Sequence, residues 1–207
     1  MHYQQQNSNG TFRIVFLHGS GGGPDTEFMD FFTEQVVVLG AEVVRPDFPY
    51  WEMVRKTGKQ RPPNKMPVLV DAIDELLSEL QQDNKPLVLM GKSLGSRVML
   101  RLADKYSAKA VIALGFPFHP PHKPEKSRLE ELEMSQAPGL ILQGTRDPFS
   151  KPIRKKIEDH EKVELPGNWR LQWLEGADHG FAATKAKAVN TPKLWQEAAD
   201  AIKEFIQ

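Results

Sequence analysis

Residues 87–96 read Leu-Val-Leu-Met-Gly-Lys-Ser-Leu-Gly-Ser. The apolar run Leu87 to Met90 is too short for a helix and shows no polar alternation, which is the pattern of a central strand covered on both faces. It ends in a turn framed by Gly91 and Gly95 around Ser93, and from Leu94 to Tyr106 the spacing becomes helical. A strand that passes through so tight a turn into a helix belongs to a parallel, crossover-built sheet. The glycines suit the turn because a Cβ there would collide with the neighbouring helix or strand.

The same alternation extends in both directions. Strands are expected over Thr11 to Leu17, Ala41 to Arg45, Leu87 to Met90, Ala110 to Leu114, Leu140 to Gln143 and Leu171 to Leu174. Helices are expected over Thr26 to Leu39, Val68 to Gln82, Leu94 to Tyr106, Lys151 to His160 and Pro192 to Ile206. Asp25 or Thr26 is placed to cap the first helix. In the second, Leu69, Ile73, Leu76, Leu77 and Leu80 fall on one face, ready to lie on a sheet. Residues 46–67 contain five prolines among basic and aromatic side chains and read as one long loop. The expected architecture is α/β: a single doubly wound, mostly parallel sheet of about six strands with helices on both faces. It occupies residues 11–207 as one domain, and residues 1–10 form a polar, frayed tail.

Composition narrows the possible partners. Lys plus Arg and Asp plus Glu number 27 each, so no net field draws the chain to nucleic acid or to an anionic membrane. With no cysteine there is no disulfide, no thiolate nucleophile and no thiolate-bound metal. The first ten residues lack the basic and apolar regions of a secretory signal, and no apolar run approaches the ~20 residues of a membrane span. A soluble, cytoplasmic protein is expected, without a metal or other cofactor, because no histidine or carboxylate cluster has ligand spacing.

In an open α/β sheet the residues just after the strands hold ligands. Three such points supply a serine, an aspartate and a histidine. Ser93 follows the Leu87 strand, Asp147 in Gly-Thr-Arg-Asp-Pro follows the next-to-last strand, and His179 in Ala-Asp-His-Gly follows the last. The chain order Ser, Asp, His is the one that a strand–turn–helix nucleophile elbow requires. His179 would take the Ser93 proton and return it to the leaving group, while Asp147 fixes the imidazole tautomer. Asp178 adjoins His179 and should diverge from it. His18 is expected to hold the following loop by hydrogen bonding, while His119 and His122 fall in a proline-rich loop that could border the site. Lys92 should point away from Ser93, towards a rim or a salt bridge.

The loop from His18 to Gly23 follows the first strand, where an oxyanion donor is expected. The backbone N–H groups of Ser20 and Leu94 are the candidate pair. Two nucleotide-binding readings fail on single residues: Pro24 stands where a dinucleotide fingerprint needs its third glycine, and Pro86 where a P-loop needs its first. Trp51, Phe116 and Phe181 are the candidates for contacting an acyl group.

The segments YWEMVRKTGKQRPPNK, GKSLGSR, FPFHPPHKPEK, LILQGTRDPF and ADHGF together resemble a group of small α/β-hydrolases. That group includes testis-expressed protein 30 and the hydrolase-like part of non-specific-lethal complex subunit 3, and the chain is distantly similar to dienelactone hydrolases. The resemblance implies a minimal fold without a large cap domain. It also implies a catalytic triad, although dienelactone hydrolases carry a cysteine where this chain has Ser93, so their substrate does not transfer. Residues 115–139 are too few for a helical lid, and the site should be open. The expected activity is cleavage of a small carboxylic ester through an acyl-enzyme. A thioesterase or acyltransferase would use the same residues, and a non-catalytic interaction module could share the scaffold.

Overall fold

The computed structural model describes residues 1–150, 153, 165–184 and 190–207. Seven strands form one sheet: β1 (Tyr3–Gln6), β2 (Phe12–Leu17), β3 (Ala41–Pro46), β4 (Leu87–Lys92), β5 (Ala110–Leu114), β6 (Gly139–Gly144) and β7 (Trp169–Leu174). Their spatial order is β1-β3-β2-β4-β5-β6-β7, with β1 antiparallel to β3 and every other pairing parallel.

The strand residues alternate between two cores. Val15, Leu17, Val44, Leu89, Val111 and Ala113 face one core, closed by α3 (Met66–Leu80) and α4 (Leu94–Leu100). Ile14, Phe16, Val43, Met90, Ile112 and Leu114 face the other, closed by α1 (Glu27–Val37) and α5 (Thr191–Ile206). The central strands β4 and β5 read as near-continuous apolar runs because both faces are covered. Thr26 caps α1 by accepting the Met29 N–H, and Asn190 caps α5 by accepting the Lys193 N–H, each satisfying a donor that the helix leaves free.

Three expectations change. The tail is not frayed over its whole length: Tyr3 to Gln6 pair with Pro46 to Val43, making seven strands rather than six. Residues 46–67 are not one loop, because Pro49–Thr57 forms α2 and α3 begins at Met66. Pro49 and Pro67 occupy first-turn positions, where a missing N–H costs nothing, so these prolines start helices rather than break them. The helix begun at Leu94 stops at Leu100 and continues as turns to Ser107. The helix expected over residues 151–160 lies outside the described residues, apart from Ile153, which is buried in the first core. Among the described residues no helix is long and apolar enough to cross a membrane.

Candidate active site

The C-terminal ends of β2, β4, β6 and β7 converge on one cavity. At the end of β4 the chain turns so sharply that Ser93 takes φ +49° and ψ −107°, a conformation costing an L-residue of order 1–3 kcal/mol. Its neighbours permit the turn. A Cβ on Gly91 would stand 2.4 Å from the Ser96 nitrogen, and one on Gly95 would stand 2.3 Å from the Leu17 carbonyl oxygen. Two donors from α4, the Ser96 N–H and hydroxyl, bond the Ser93 carbonyl and hold the elbow closed.

The structure brings Ser93, His179 and Asp147 together. The Ser93 hydroxyl lies 3.0 Å from His179 Nε2, and His179 Nδ1 lies 2.6 Å from Asp147 Oδ2. Because Asp147 can only accept, Nδ1 carries the proton and Nε2 is free to accept from serine. Asp147 is wholly buried, and both of its oxygens are held: Oδ1 accepts the Phe149 N–H, and Oδ2 also accepts from Gln143 Nε2 at 2.7 Å. Gln143 escapes the sequence reading, although its place on β6, four residues before Asp147, is a usable signal. Asp178 diverges as expected, its Oδ1 accepting the N–H groups of Gly180 and Ala182.

The glycine-rich loop after β2 is braced from beneath. His18 is buried; its Nε2 accepts the Phe48 N–H, so Nδ1 is the protonated nitrogen and donates to the Gly19 carbonyl. Burial holds this imidazole below the usual histidine range, in keeping with a neutral ring. Tyr50, on α2, donates its hydroxyl to the same Gly19 carbonyl at 2.9 Å, and burial pushes its phenol up. A trans peptide sets N–H and C=O on opposite sides. Fixing the Gly19 carbonyl towards Tyr50 therefore aims the Ser20 N–H the other way. Ser20 lines the cavity, whereas Leu94 lies behind Ser93 as the first residue of α4, partly buried against the core.

The cavity measures about 420 Å³, and its lining includes residues 18–23, Phe28, Met29, Ser93, Phe149, His179 and Trp195. Its apolar wall is not the one expected from sequence. Phe116 and Phe181 are fully buried in opposite cores, and Trp51 packs against Gly23, behind the loop. None of the three lines the cavity. Aromatic residues at the start of α2 pin that helix to the core: Phe48, just before it, and Tyr50, within it, are buried and stacked at 6.1 Å. The wall is built instead from Phe28 and Met29 on α1, Trp195 on α5, and Phe149, whose ring lies 4.8 Å from that of His179. Lys92 is not at a rim: its ammonium donates to the His179 carbonyl. His119 is buried, with ring nitrogens near the carbonyls of Pro120 and Pro148. Among the described residues no cluster of three or more histidine or acidic side chains is placed to hold a metal ion.

Residues 10–207 match the family model described as an alpha/beta hydrolase domain. The chain belongs to the α/β-hydrolase family. No curated protein matches it by sequence. Among solved structures, an alpha-beta serine hydrolase homologue from Coxiella burnetii is similar at 17% identity and TM-score 0.71, with 99% of this chain and 91% of that one covered. A dienelactone hydrolase from Anabaena variabilis is similar at 17% identity and TM-score 0.67, covering 96% of this chain and 88% of that one. Est1E from Butyrivibrio proteoclasticus, in a structure with ferulic acid bound, is similar at 14% identity and TM-score 0.66, covering 99% and 95%. At these identities the likeness establishes the α/β-hydrolase fold alone, without a large cap domain.

Proposed function

We propose that this α/β-hydrolase is a serine hydrolase that cleaves a neutral carboxylic ester of a small molecule through an acyl-enzyme. The observation that carries the reading is the continuous relay from Ser93 through His179 to the buried Asp147, at 3.0 and 2.6 Å, opening on a mainly apolar cavity. Ser93 Oγ attacks the ester carbonyl carbon while its proton passes to His179 Nε2. The carbonyl π electrons move to oxygen, where the N–H groups of Ser20 and Leu94 stabilise the oxyanion. As the tetrahedral intermediate collapses, the alkoxide leaves with the proton from His179. Water, deprotonated by the same imidazole, then attacks the acyl-serine, and Ser93 regains its proton.

The walls support the choice of substrate class. Phe28, Met29, Phe149 and Trp195 give the cavity an apolar side, and among the described residues no carboxylate belongs to its lining. Lys92, the cation in that lining, is engaged by the His179 carbonyl. The same steps serve a thioester. The sequence motifs further support placing the chain in the group with testis-expressed protein 30 and with the hydrolase-like part of non-specific-lethal complex subunit 3.

A fluorophosphonate probe should label folded protein at Ser93, and Ser93→Ala should lose both the label and at least about 10⁴-fold of p-nitrophenyl butyrate turnover. Unchanged turnover in Ser93→Ala, or no labelling of the wild-type protein, would overturn the proposal.

A further inference from the structure

Lys92 directly precedes the nucleophile, but its side chain serves the middle of the relay, at His179. It leaves the end of β4 and places its ammonium against the backbone carbonyl of His179, in the loop after β7. The surroundings are apolar: Nζ sits 5.2 Å from the centre of the Phe181 ring and 5.5 Å from that of Phe28, favourable for a cation and poor for a neutral amine. The space is made by a third element. Gly115, just past β5, has φ +66°, and a Cβ there would lie 2.7 Å from Lys92 Nζ and 3.4 Å from His179 Nδ1. Among the described residues no carboxylate reaches ion-pair distance of this ammonium.

We propose that Lys92 is a positioning residue for His179, and that its protonated amine holds the main chain that keeps the imidazole aligned between Asp147 and Ser93. This rests on the serine-hydrolase reading above. Both His179 hydrogen bonds are short-range and directional, so a main-chain displacement of about 1 Å is enough to cost about 10²-fold in rate. A charged N–H donor is roughly twice as strong as a neutral one, so the clamp weakens when Lys92 loses its proton. Among the described residues the titratable groups facing the amine are Asp147, Asp178 and His179, and the first two favour its charged form. Burial outweighs them and draws the amine down to about 8. Activity should therefore fall as pH rises through that value.

The test is kcat and KM for p-nitrophenyl butyrate from pH 5.5 to 9.5, in wild type, Lys92→Met and Lys92→Gln, with circular dichroism to verify folding. The expected result is a wild-type kcat that declines with a midpoint near pH 8, absent in both variants. At pH 7, Lys92→Met should lose about 10²-fold in kcat with KM nearly unchanged, and Lys92→Gln, which keeps a neutral donor, should fall between. A folded Lys92→Met with wild-type kcat overturns the proposal. So does a folded Lys92→Gln whose kcat and pH profile match wild type, a second variant read independently of the first. Fluorophosphonate labelling of wild-type Ser93 is read separately: its absence sinks the serine-hydrolase reading, whereas a labelled enzyme indifferent to Lys92 sinks only the positioning role.

Discussion

At the start of β2 and β3, Arg13 and Glu42 are buried as a hydrogen-bonded pair; past the ends of β6 and β7, Asp147 and His179 are joined in the same way. The pairs differ in what lies beyond them. Glu42 is enclosed: Oε2 accepts from Arg13 at 2.9 Å and Lys85 at 2.7 Å, and Oε1 accepts from Gln5 at 2.6 Å. Arg13 spends further donors on Asp83 and the Leu80 carbonyl. At the opposite edge the chain of bonds runs outward and ends at Ser93, whose hydroxyl faces the cavity. Similar pairs thus stabilise one end of the sheet and leave a reactive terminus at the other, because one network closes on itself and the other does not.

That contrast makes a double prediction. Asp147→Asn should lower kcat by about 10⁴ through the wrong imidazole tautomer, and thermal unfolding should show that the fold survives. A loss below about tenfold would mean that Asp147 does not orient the base. Arg13→Leu should do the reverse. Removing the guanidinium leaves Glu42 with Lys85 and Gln5 but breaks the buried ion pair, which costs about 3 kcal/mol, seen as a fall of about 10 °C in Tm, with kcat/KM at 25 °C within about twofold of wild type. A large rate loss in that variant would show that the two edges are coupled.

The smallest effect expected is on acid stability. Burial alone would raise the Glu42 carboxyl, but hydrogen bonds from Lys85, Gln5 and Arg13 hold it below its ordinary value of 4.5. A carboxylate depressed in the folded state adds stability above its unfolded pKa and loses it as pH falls through the folded value. Denaturant titrations between about pH 6 and 3 should show wild type losing stability faster than Glu42→Gln. Parallel curves would remove Glu42 from the account.

The fold was legible because its signals are local. The apolar strand runs and the glycine-framed serine can each be read within a few residues, and Asp147 and His179 are each marked by the strand just before them. Pairing is not local, so β1, polar in Gln4, Gln5 and Gln6, left no apolar trace; its evidence is the register with β3. Which aromatic rings face a cavity is likewise decided by packing. Phe116 and Phe181 follow strands, as site residues do, yet turn into the cores, while Phe28, Met29 and Trp195 reach the site from α1 and α5. Lys92 illustrates the same limit. Alternation shows that it points away from Ser93, but only the three-dimensional structure shows that it then meets the loop carrying His179.

The backbone of Ser93 also restricts which mutations this lineage can survive. Threonine offers the same hydroxyl at the cost of one added methyl, and by side-chain chemistry it is the mildest replacement available. At φ +49° a β-branched residue is a severe conformational outlier, so that path is closed by the main chain rather than by reactivity. Cysteine has no second γ atom and meets no such barrier. The elbow therefore leaves open the exchange of oxygen for sulfur, a large change in reactivity, and bars the addition of one carbon atom.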